Sequence, residues 1–392
     1  MLATLPREYL LIGFFGGYAL VMLFNPIRLA LRDGLRCIGR YRRVWVTFVL
    51  LGFAYLVFQF STFTPVQSSA DLDLTQFTSL ASWHWPRFVD VWQDAPLPAL
   101  EGVAGIFDNA TTTYPLSIAA AVLLMMNWRG LHSALLRALR QRYQLRGLLI
   151  YLIFLISAIA ALIKPVVFWA LPVWGGVIPA SDLLQISACI DATSFIFEYL
   201  LGVYIQVYLI TVCFAWIRGL SFQEGELFRF AMRRFSYVLK WAGVVVLIST
   251  LIVRMPLLLA YFINIPNVLD YLPIERVVMC ALIIGFSSMQ ISLALHNETL
   301  GQALRAHLEF LRENLARFGW FLLICLLHFF LLNSADAIIR GAIADRLVAL
   351  ILWKSVLVCV RGFVTGWLLA SWVCLFRHGE KGEVYQQSWI QY

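Results

Sequence analysis

The stretch that determines the fold is NETLGQALRAHLEFLRENLARF, residues 297–318. It continues directly with GWFLLICLLHFFLL, residues 319–332. The first stretch carries apolar residues at helical spacing with arginines on its other faces, whereas the second is almost entirely apolar. This pair predicts an amphipathic helix in the membrane interface that leads into a helix crossing the lipid. The pattern therefore predicts an α-helical membrane protein.

The same succession occurs three more times, which predicts a chain built by repetition. The other basic amphipathic segments begin at Asn25, Asn127 and Ser221, and each runs directly into an apolar segment. In the copy from Ser221, a glutamate follows three residues later at Glu224, which is a capping-box pattern that marks a helix start. We therefore expect four repeated interfacial helices in addition to the membrane spans.

Composition supports a polytopic helical bundle. Of the 392 residues, 61% are hydrophobic and only 13% are charged, and the alternating ten-residue strands of a membrane barrel are absent. Helices satisfy their backbone hydrogen bonds within each segment, so they are the spanning structure that lipid permits here. We predict nine spans, at about residues 9–25, 44–62, 115–128, 147–171, 187–217, 240–264, 276–296, 318–334 and 347–376.

Charge predicts the orientation of the chain. The amphipathic segments and the C-terminal tail carry 21 Lys and Arg against 8 Asp and Glu, whereas the opposite side carries 5 against 12. The positive-inside rule then places the amphipathic helices and the C-terminus in the cytoplasm and the N-terminus outside. We expect a bacterial inner membrane protein whose arginines attract anionic lipid headgroups. The net charge of +8 therefore needs no nucleic-acid partner.

We predict one integral membrane domain over residues 1–392, with two segments outside the lipid. Residues 63–114 form an acidic outer loop, and its stretch SWHWPRFVDVWQ brings tryptophans onto one helical face. Such a face is typical of an interfacial aromatic anchor, and the alternative is a docking surface for a partner. Residues 378–392 form a short cytoplasmic tail, which is a further candidate for contact with a partner.

Six ionisable residues fall inside the predicted spans, where a charge needs a partner or contact with water. Asp191 and Glu198 are seven residues apart, as are Lys354 and Arg361, so each pair shares one face of its helix. If the two helices are neighbours, Asp191 pairs with Lys354 and Glu198 with Arg361 as a two-rung ladder. The rival arrangement uses the remaining two basic residues instead, Lys164 for Asp191 and Arg254 for Glu198.

These charges have two interpretations. In the first, they pair with one another and fix helix packing. In the second, they line a polar pathway or an anion-binding pocket between the repeats, which the excess of four cations over two anions favours.

No sequence motif indicates catalysis, a metal or a cofactor. The chain has no Walker A sequence, no GxGxxG, no HExxH and no GxSxG. Its seven cysteines are scattered singly, which is typical of small core side chains. Of the six histidines, only His328 lies deep in a predicted span, and we expect it to be a hydrogen-bonded core residue. We therefore predict no catalytic residue, no cofactor and no metal site.

The alternation of interfacial helix and span resembles the polytopic membrane domains attached to some bacterial glycerophosphodiester phosphodiesterases, and related membrane families without a defined function. The resemblance rests on GELFRFAMRRFSYVLKWAGVVVL and GQALRAHLEFLRENLARFGWFLL and extends as a rhythm over most of the chain. It implies a membrane-embedded helical fold. No phosphodiesterase catalytic domain is present, so the resemblance implies no enzymatic activity and no site residues.

These observations predict a non-enzymatic integral membrane protein that serves as a subunit or scaffold of a larger assembly. Its expected partners are membrane lipids, especially anionic headgroups, and other membrane protein subunits. The first alternative is a transporter for an anionic or lipid-like solute. The second alternative is an enzyme that acts on a membrane lipid, with catalytic groups contributed by separate spans.

Overall fold

The computed structural model describes residues 16, 19, 25–63, 97–107, 155–163, 180–219, 224–249, 251, 274–296, 299–343 and 347–379. Every regular element among these residues is helical and none is a strand, which confirms the all-α class for this part of the chain. Residues 155–163 are helical. The longer helices are α1 (Asn25–Arg40), α2 (Arg43–Phe63), α3 (Leu97–Phe107), α4 (Ala180–Ile217), α5 (Glu224–Ser249), α6 (Ile274–Gly285), α7 (Ser287–Leu295), α8 (Leu300–Ile343) and α9 (Leu347–Gly379).

Three of the described helices are long and apolar enough to cross a membrane. These are Tyr199–Ile217 within α4, the whole of α8, and Val348–Phe376 within α9. They give the chain the properties of an integral membrane protein. The count of nine spans stays a prediction, because the predicted span 115–128 lies outside the described residues and the spans 9–25, 147–171 and 240–264 are described only in part.

The predicted succession of amphipathic and apolar segments takes two forms. In the first copy, α1 ends at Arg40 and α2 begins at Arg43, so the two segments are separate helices. In the third and fourth copies, one helix runs through both segments, as α5 and α8. α8 is kinked at Asn314, which has φ −124° and ψ 19°. The second amphipathic segment, 127–146, lies outside the described residues.

Local hydrogen bonds explain two of the helix boundaries. α8 begins with a capping box, in which the Thr299 backbone N–H donates to Gln302 Oε1 at 2.9 Å and the Gln302 N–H donates to Thr299 Oγ1 at 3.4 Å. α4 ends where Gly219 adopts a φ of 65°, and its N–H donates to the Trp216 carbonyl at 2.9 Å. Glycine suits this position because it has no Cβ to clash in the left-handed region.

The described chain divides into two compact units. The larger unit, 1–48, 92–109 and 203–392, has an aromatic core around the buried Trp372 of α9. The ring centroids of Phe107 and Phe318 lie 5.2 Å from that of Trp372, and Phe321 stacks on it at 5.4 Å. The core therefore joins α3, α8 and α9, although the sequence had assigned α3 to the predicted outer loop.

α9 is the central packing helix of the larger unit, and α1 is its most extensive neighbour. Trp367 Nε1 donates to the Leu31 carbonyl at 2.8 Å, and Gly34 lies against Ser371 so closely that no Cβ would fit. From the first contact to the second, the residue numbers rise in both helices. α1 and α9 therefore run in the same direction. Small residues allow such close approach of helices, as in membrane helix packing.

The smaller unit comprises 49–91 and 110–202. Its described core is a small apolar cluster of Ala158, Ala161 and Phe197, with Leu162 and Leu201 packed against it. The cluster joins the helical segment 155–163 to the first part of α4. Close packing of these apolar side chains stabilises the contact, because packing is the main attraction between helices in lipid.

Candidate functional site

Of the six predicted membrane charges, the structure describes the side chains of two, both on α9: Lys354 and Arg361. The other four side chains lie outside the described part of the chain: Asp191 and Glu198, whose backbones belong to α4, and Lys164 and Arg254. The predicted ladder between α4 and α9 and its rival arrangement therefore both stay predictions.

Asp336 of α8 is the acid that meets the two basic residues of α9. Lys354 Nζ donates to both carboxylate oxygens, at 3.0 Å and 2.9 Å, and Trp353 Nε1 donates to Oδ1 at 3.0 Å. Arg361 Nη2 lies 4.0 Å from Asp336 Oδ2 and donates to Asn333 Oδ1 at 2.7 Å. We call these five residues the Asp336 cluster.

The Asp336 cluster holds two cations and one anion in a largely buried position. Only 11% of the Asp336 side chain and 23% of the Lys354 side chain are exposed, against 40% of Arg361. Charges taken out of water are stable only where close partners replace the lost hydration, and the two short bonds from Lys354 supply this for the carboxylate. The cluster therefore satisfies two predicted membrane charges within the chain and ties α8 to α9.

Sequence reasoning missed Asp336 because the predicted span ended at residue 334, where polar residues interrupt the apolar run. That boundary assigned Asp336 to an outer connection. The signal that could have found Asp336 is the short connection between the two helices, since α8 ends at Ile343 and α9 begins at Leu347. In an antiparallel helix pair, residues equally distant from a short connection face each other, and Asp336 and Lys354 fulfil this condition.

A second polar site surrounds α7, which is buried along its whole length although it contains three serines and a glutamine. The helix starts after a break at Phe286, whose φ is −109° and ψ is 20°. Gln206 of α4 donates from Nε2 to Gln290 Oε1 at 3.0 Å. Ser288 Oγ is hydrogen-bonded to Nδ1 of His307, which lies on α8. α7 thus brings polar groups from three helices together.

Several buried atoms near α7 have no hydrogen-bond partner within the described part of the chain. They are Ser287 Oγ, the side-chain oxygen Gln206 Oε1, and the indole nitrogen Trp241 Nε1. Trp241 is adjacent to the break, because its ring centroid lies 5.4 Å from that of Phe286. Unpaired polar atoms are costly in an apolar interior, so a group of them indicates a place where another polar molecule can bind.

The remaining candidates from the sequence are His328 and the cysteines. His328 Nδ1 donates to the Ile324 carbonyl at 2.8 Å, and its ring lies edge-on to Trp367 with centroids 5.3 Å apart. His328 is therefore hydrogen-bonded, as predicted, but it is half-buried and not in the core. The described residues include no group of three or more His, Cys, Asp and Glu that could hold a metal ion. The cysteines are free, and five of the seven are buried.

Comparison with known proteins adds no family to these observations. No family model, no curated protein and no solved structure matches the chain. The resemblance to membrane domains of glycerophosphodiester phosphodiesterases therefore stays an expectation from the sequence. The Asp336 cluster and the α7 region are therefore the features of the described chain that bear on its function.

Proposed function

We propose that this chain is an integral membrane subunit or scaffold that associates with other membrane proteins. The observation that supports the proposal is the Asp336 cluster, in which Lys354 and Arg361 have partners inside the chain. A transport site for an anion keeps its cations accessible to the solute, whereas a structural subunit uses them to fix helix packing. The geometry of the cluster fits the second use.

The outward face of α9 supports the same role. Val348, Leu352, Val356 and Val360 follow each other at intervals of four residues, and their exposed fractions are 72%, 63%, 53% and 40%. Residues at this spacing lie on one side of a helix and form a continuous apolar stripe. We propose that this stripe, the α9 stripe, packs against a helix of another membrane subunit.

Membrane lipids are the second class of partner. Arg28, Arg32, Arg36 and Arg40 recur every four residues along the exposed face of α1, while Ile27 and its apolar neighbours on the other face are buried. Each such arginine contributes about 1 kcal/mol of attraction to an anionic leaflet. We propose that the arginine face of α1 contacts the headgroups of the cytoplasmic leaflet of a bacterial inner membrane, with the N-terminus outside and the C-terminus in the cytoplasm.

Native mass spectrometry of the chain, extracted from its own membrane in a mild detergent, tests the subunit role. We expect a complex whose mass equals integer copies of this chain plus at least one other membrane protein. Val356→Trp should lower the fraction of that complex, because the larger side chain stays apolar but prevents close helix packing. Leu247→Trp is the matched control, since Leu247 is 58% exposed on α5, away from the α9 stripe.

The outcome that contradicts the proposal is a chain that carries no other protein at any detergent concentration that preserves its fold. A single chain with a bound small anion or lipid would instead favour the transporter predicted as the first alternative. If Val356→Trp and Leu247→Trp reduce the complex equally, the complex forms without the α9 stripe. The assignment of the α9 stripe as the subunit interface is then wrong.

A further inference from the structure

The break between α6 and α7 brings a hydroxyl group against an imidazole. Ser288 is the second residue of α7, so its side chain lies at the start of a helix. His307 lies on α8, one turn after Ala303 on the buried face of that helix. Ser288 Oγ and His307 Nδ1 are hydrogen-bonded, and the two residues are 1% and 2% exposed. A serine in this contact has a base available to accept its proton.

The surroundings orient the imidazole for that task. The His307 ring donates a hydrogen bond to the backbone carbonyl of Gly285, so the ring contacts the last residue of α6 as well as Ser288 of α7. Phe286 lies over the same ring, with centroids 5.2 Å apart. A neutral imidazole that donates from one nitrogen has its second nitrogen available as an acceptor, and a general base needs such an acceptor.

A hydroxyl donor and a more exposed break lie beside the pair. Ser287 Oγ is buried without a partner in the described part of the chain and lies one residue before Ser288, so a second hydroxyl donor is available in the same turn of α7. Gly285 and Phe286 are only half-buried, whereas Ser288 and His307 are almost fully buried, so the break is more exposed than the pair itself. The ring of Trp241 adds an apolar wall at this break.

We propose that Ser288 and His307 form a nucleophile–base pair that hydrolyses the ester of a membrane lipid. Membrane location supports a lipid substrate, since His307 lies in the amphipathic part of α8, directly before the apolar part of that helix that is able to cross a membrane. The named side chains around the break are aromatic or uncharged, which suits an acyl chain and its ester. This activity adds to the proposed subunit role, does not depend on it, and corresponds to the second alternative predicted from the sequence.

The reaction needs only the lipid and water. Ser288 Oγ forms a bond to the ester carbonyl carbon while its proton passes to His307 Nδ1. The carbon–oxygen bond to the lipid alcohol then breaks, and the alcohol leaves with the proton from His307. Water, deprotonated by the same imidazole, attacks the acyl-serine, releases the fatty acid and restores the serine.

Labelling by an alkyl fluorophosphonate tests the nucleophile on the purified full-length chain in nanodiscs. The phosphorus forms a bond to the serine oxygen and fluoride leaves, so the adduct is located by peptide mass spectrometry. We expect an adduct on Ser288, none in Ser288→Ala, and labelling slower by about 100-fold or more in His307→Gln, because the base is lost. Ser292→Ala is the matched control, since Ser292 is an equally buried serine of α7, and it should label like the unaltered chain.

The absence of an adduct on Ser288 in the folded, unaltered chain overturns the proposal, whatever the variants do. If His307→Gln is labelled as fast as the unaltered chain, His307 is not the base that activates Ser288. The lipid assignment has its own measurement, the release of fatty acid from phosphatidylglycerol in the same nanodiscs. We expect release that Ser288→Ala abolishes, and an adduct without any release would overturn the lipid ester as substrate.

Discussion

Asp336 determines the electrostatics of the α8–α9 pair at the scale of single residues. Its carboxylate accepts hydrogen bonds from Lys354 and Trp353, and it lies within 4.0 Å of Arg361. The pair of Asp33 with Arg36 on α1 lies at 3.7 Å and is more exposed, with 27% of the Asp33 side chain and 63% of the Arg36 side chain accessible. The two acids therefore allow a comparison between a buried and an exposed ion pair in one protein.

Asp336→Asn should be strongly destabilising. The change leaves the mostly buried Lys354 ammonium without its carboxylate, which costs about 3–5 kcal/mol in the free energy of unfolding. Asp33→Asn is the control and should cost about 0–1 kcal/mol, because its partners are exposed. Thermal unfolding of both variants in the same detergent measures the difference. Equal losses would show that the Asp336 cluster contributes no more than a surface pair.

The double change Asp336→Asn with Lys354→Met separates the ion pair from the rest of the cluster. Removing both charges leaves no unpaired ammonium, so the combined loss of stability should be smaller than the sum of the two single losses. Thermal unfolding of the two single variants and the double variant in one detergent completes the cycle. Strict additivity would mean that the two residues do not interact in the folded state.

At the scale of helices, the crossing of α2 and α9 depends on one glycine. A Cβ at Gly366 would lie 2.8 Å from both Cα and Cβ of Trp45, and the Trp45 backbone cannot move without its helix. The Trp45 ring also packs edge-on against Phe363 of α9, with centroids 5.9 Å apart. The absence of a side chain at position 366 therefore sets how closely the two helices approach.

Gly366→Ala should separate α2 from α9 and destabilise the chain by about 1–3 kcal/mol, which is the usual effect of overpacking a tight contact. Gly319→Ala is the matched control, because a Cβ at that helical position has open space within 4 Å. The control should be neutral or stabilising, since alanine favours helix more than glycine does. A stable Gly366→Ala variant, measured by thermal unfolding beside the control, would contradict the close α2–α9 crossing.

The sequence predicted the helical elements better than their interruptions. Apolar length and arginine spacing depend on local composition, so α1, α2 and the apolar part of α8 were found close to their predicted positions. The break at Phe286 was missed because no proline or glycine pair signals it beyond the single Gly285. The Ser288–His307 contact was missed for a different reason: it joins residues of separate helices, and only tertiary packing brings them together.

At the scale of the whole molecule, the charge asymmetry predicts which parts of the chain face each side of the membrane. A cysteine introduced beside Asp94 should react with an impermeant thiol reagent added outside intact cells, whereas one beside Gln141 should react only after permeabilisation. The physical reason is that basic segments stay on the cytoplasmic side during insertion. The exposed native Cys189 and Cys359 are replaced first so that they do not contribute signal. The reverse labelling pattern would invert the predicted topology.

The parallel packing of α1 on α9 has a consequence for how the protein is made. The bond from Trp367 to the Leu31 carbonyl joins residues 336 positions apart, so α1 leaves the ribosome long before its partner exists. At about 5–20 residues per second, that interval is roughly 20–70 s. During this time the apolar side of α1 has no α9 to cover it and is open to chaperones and membrane proteases. The packing of α1 is therefore complete only when α9 has been inserted, and we expect a chain truncated before α9 to be degraded.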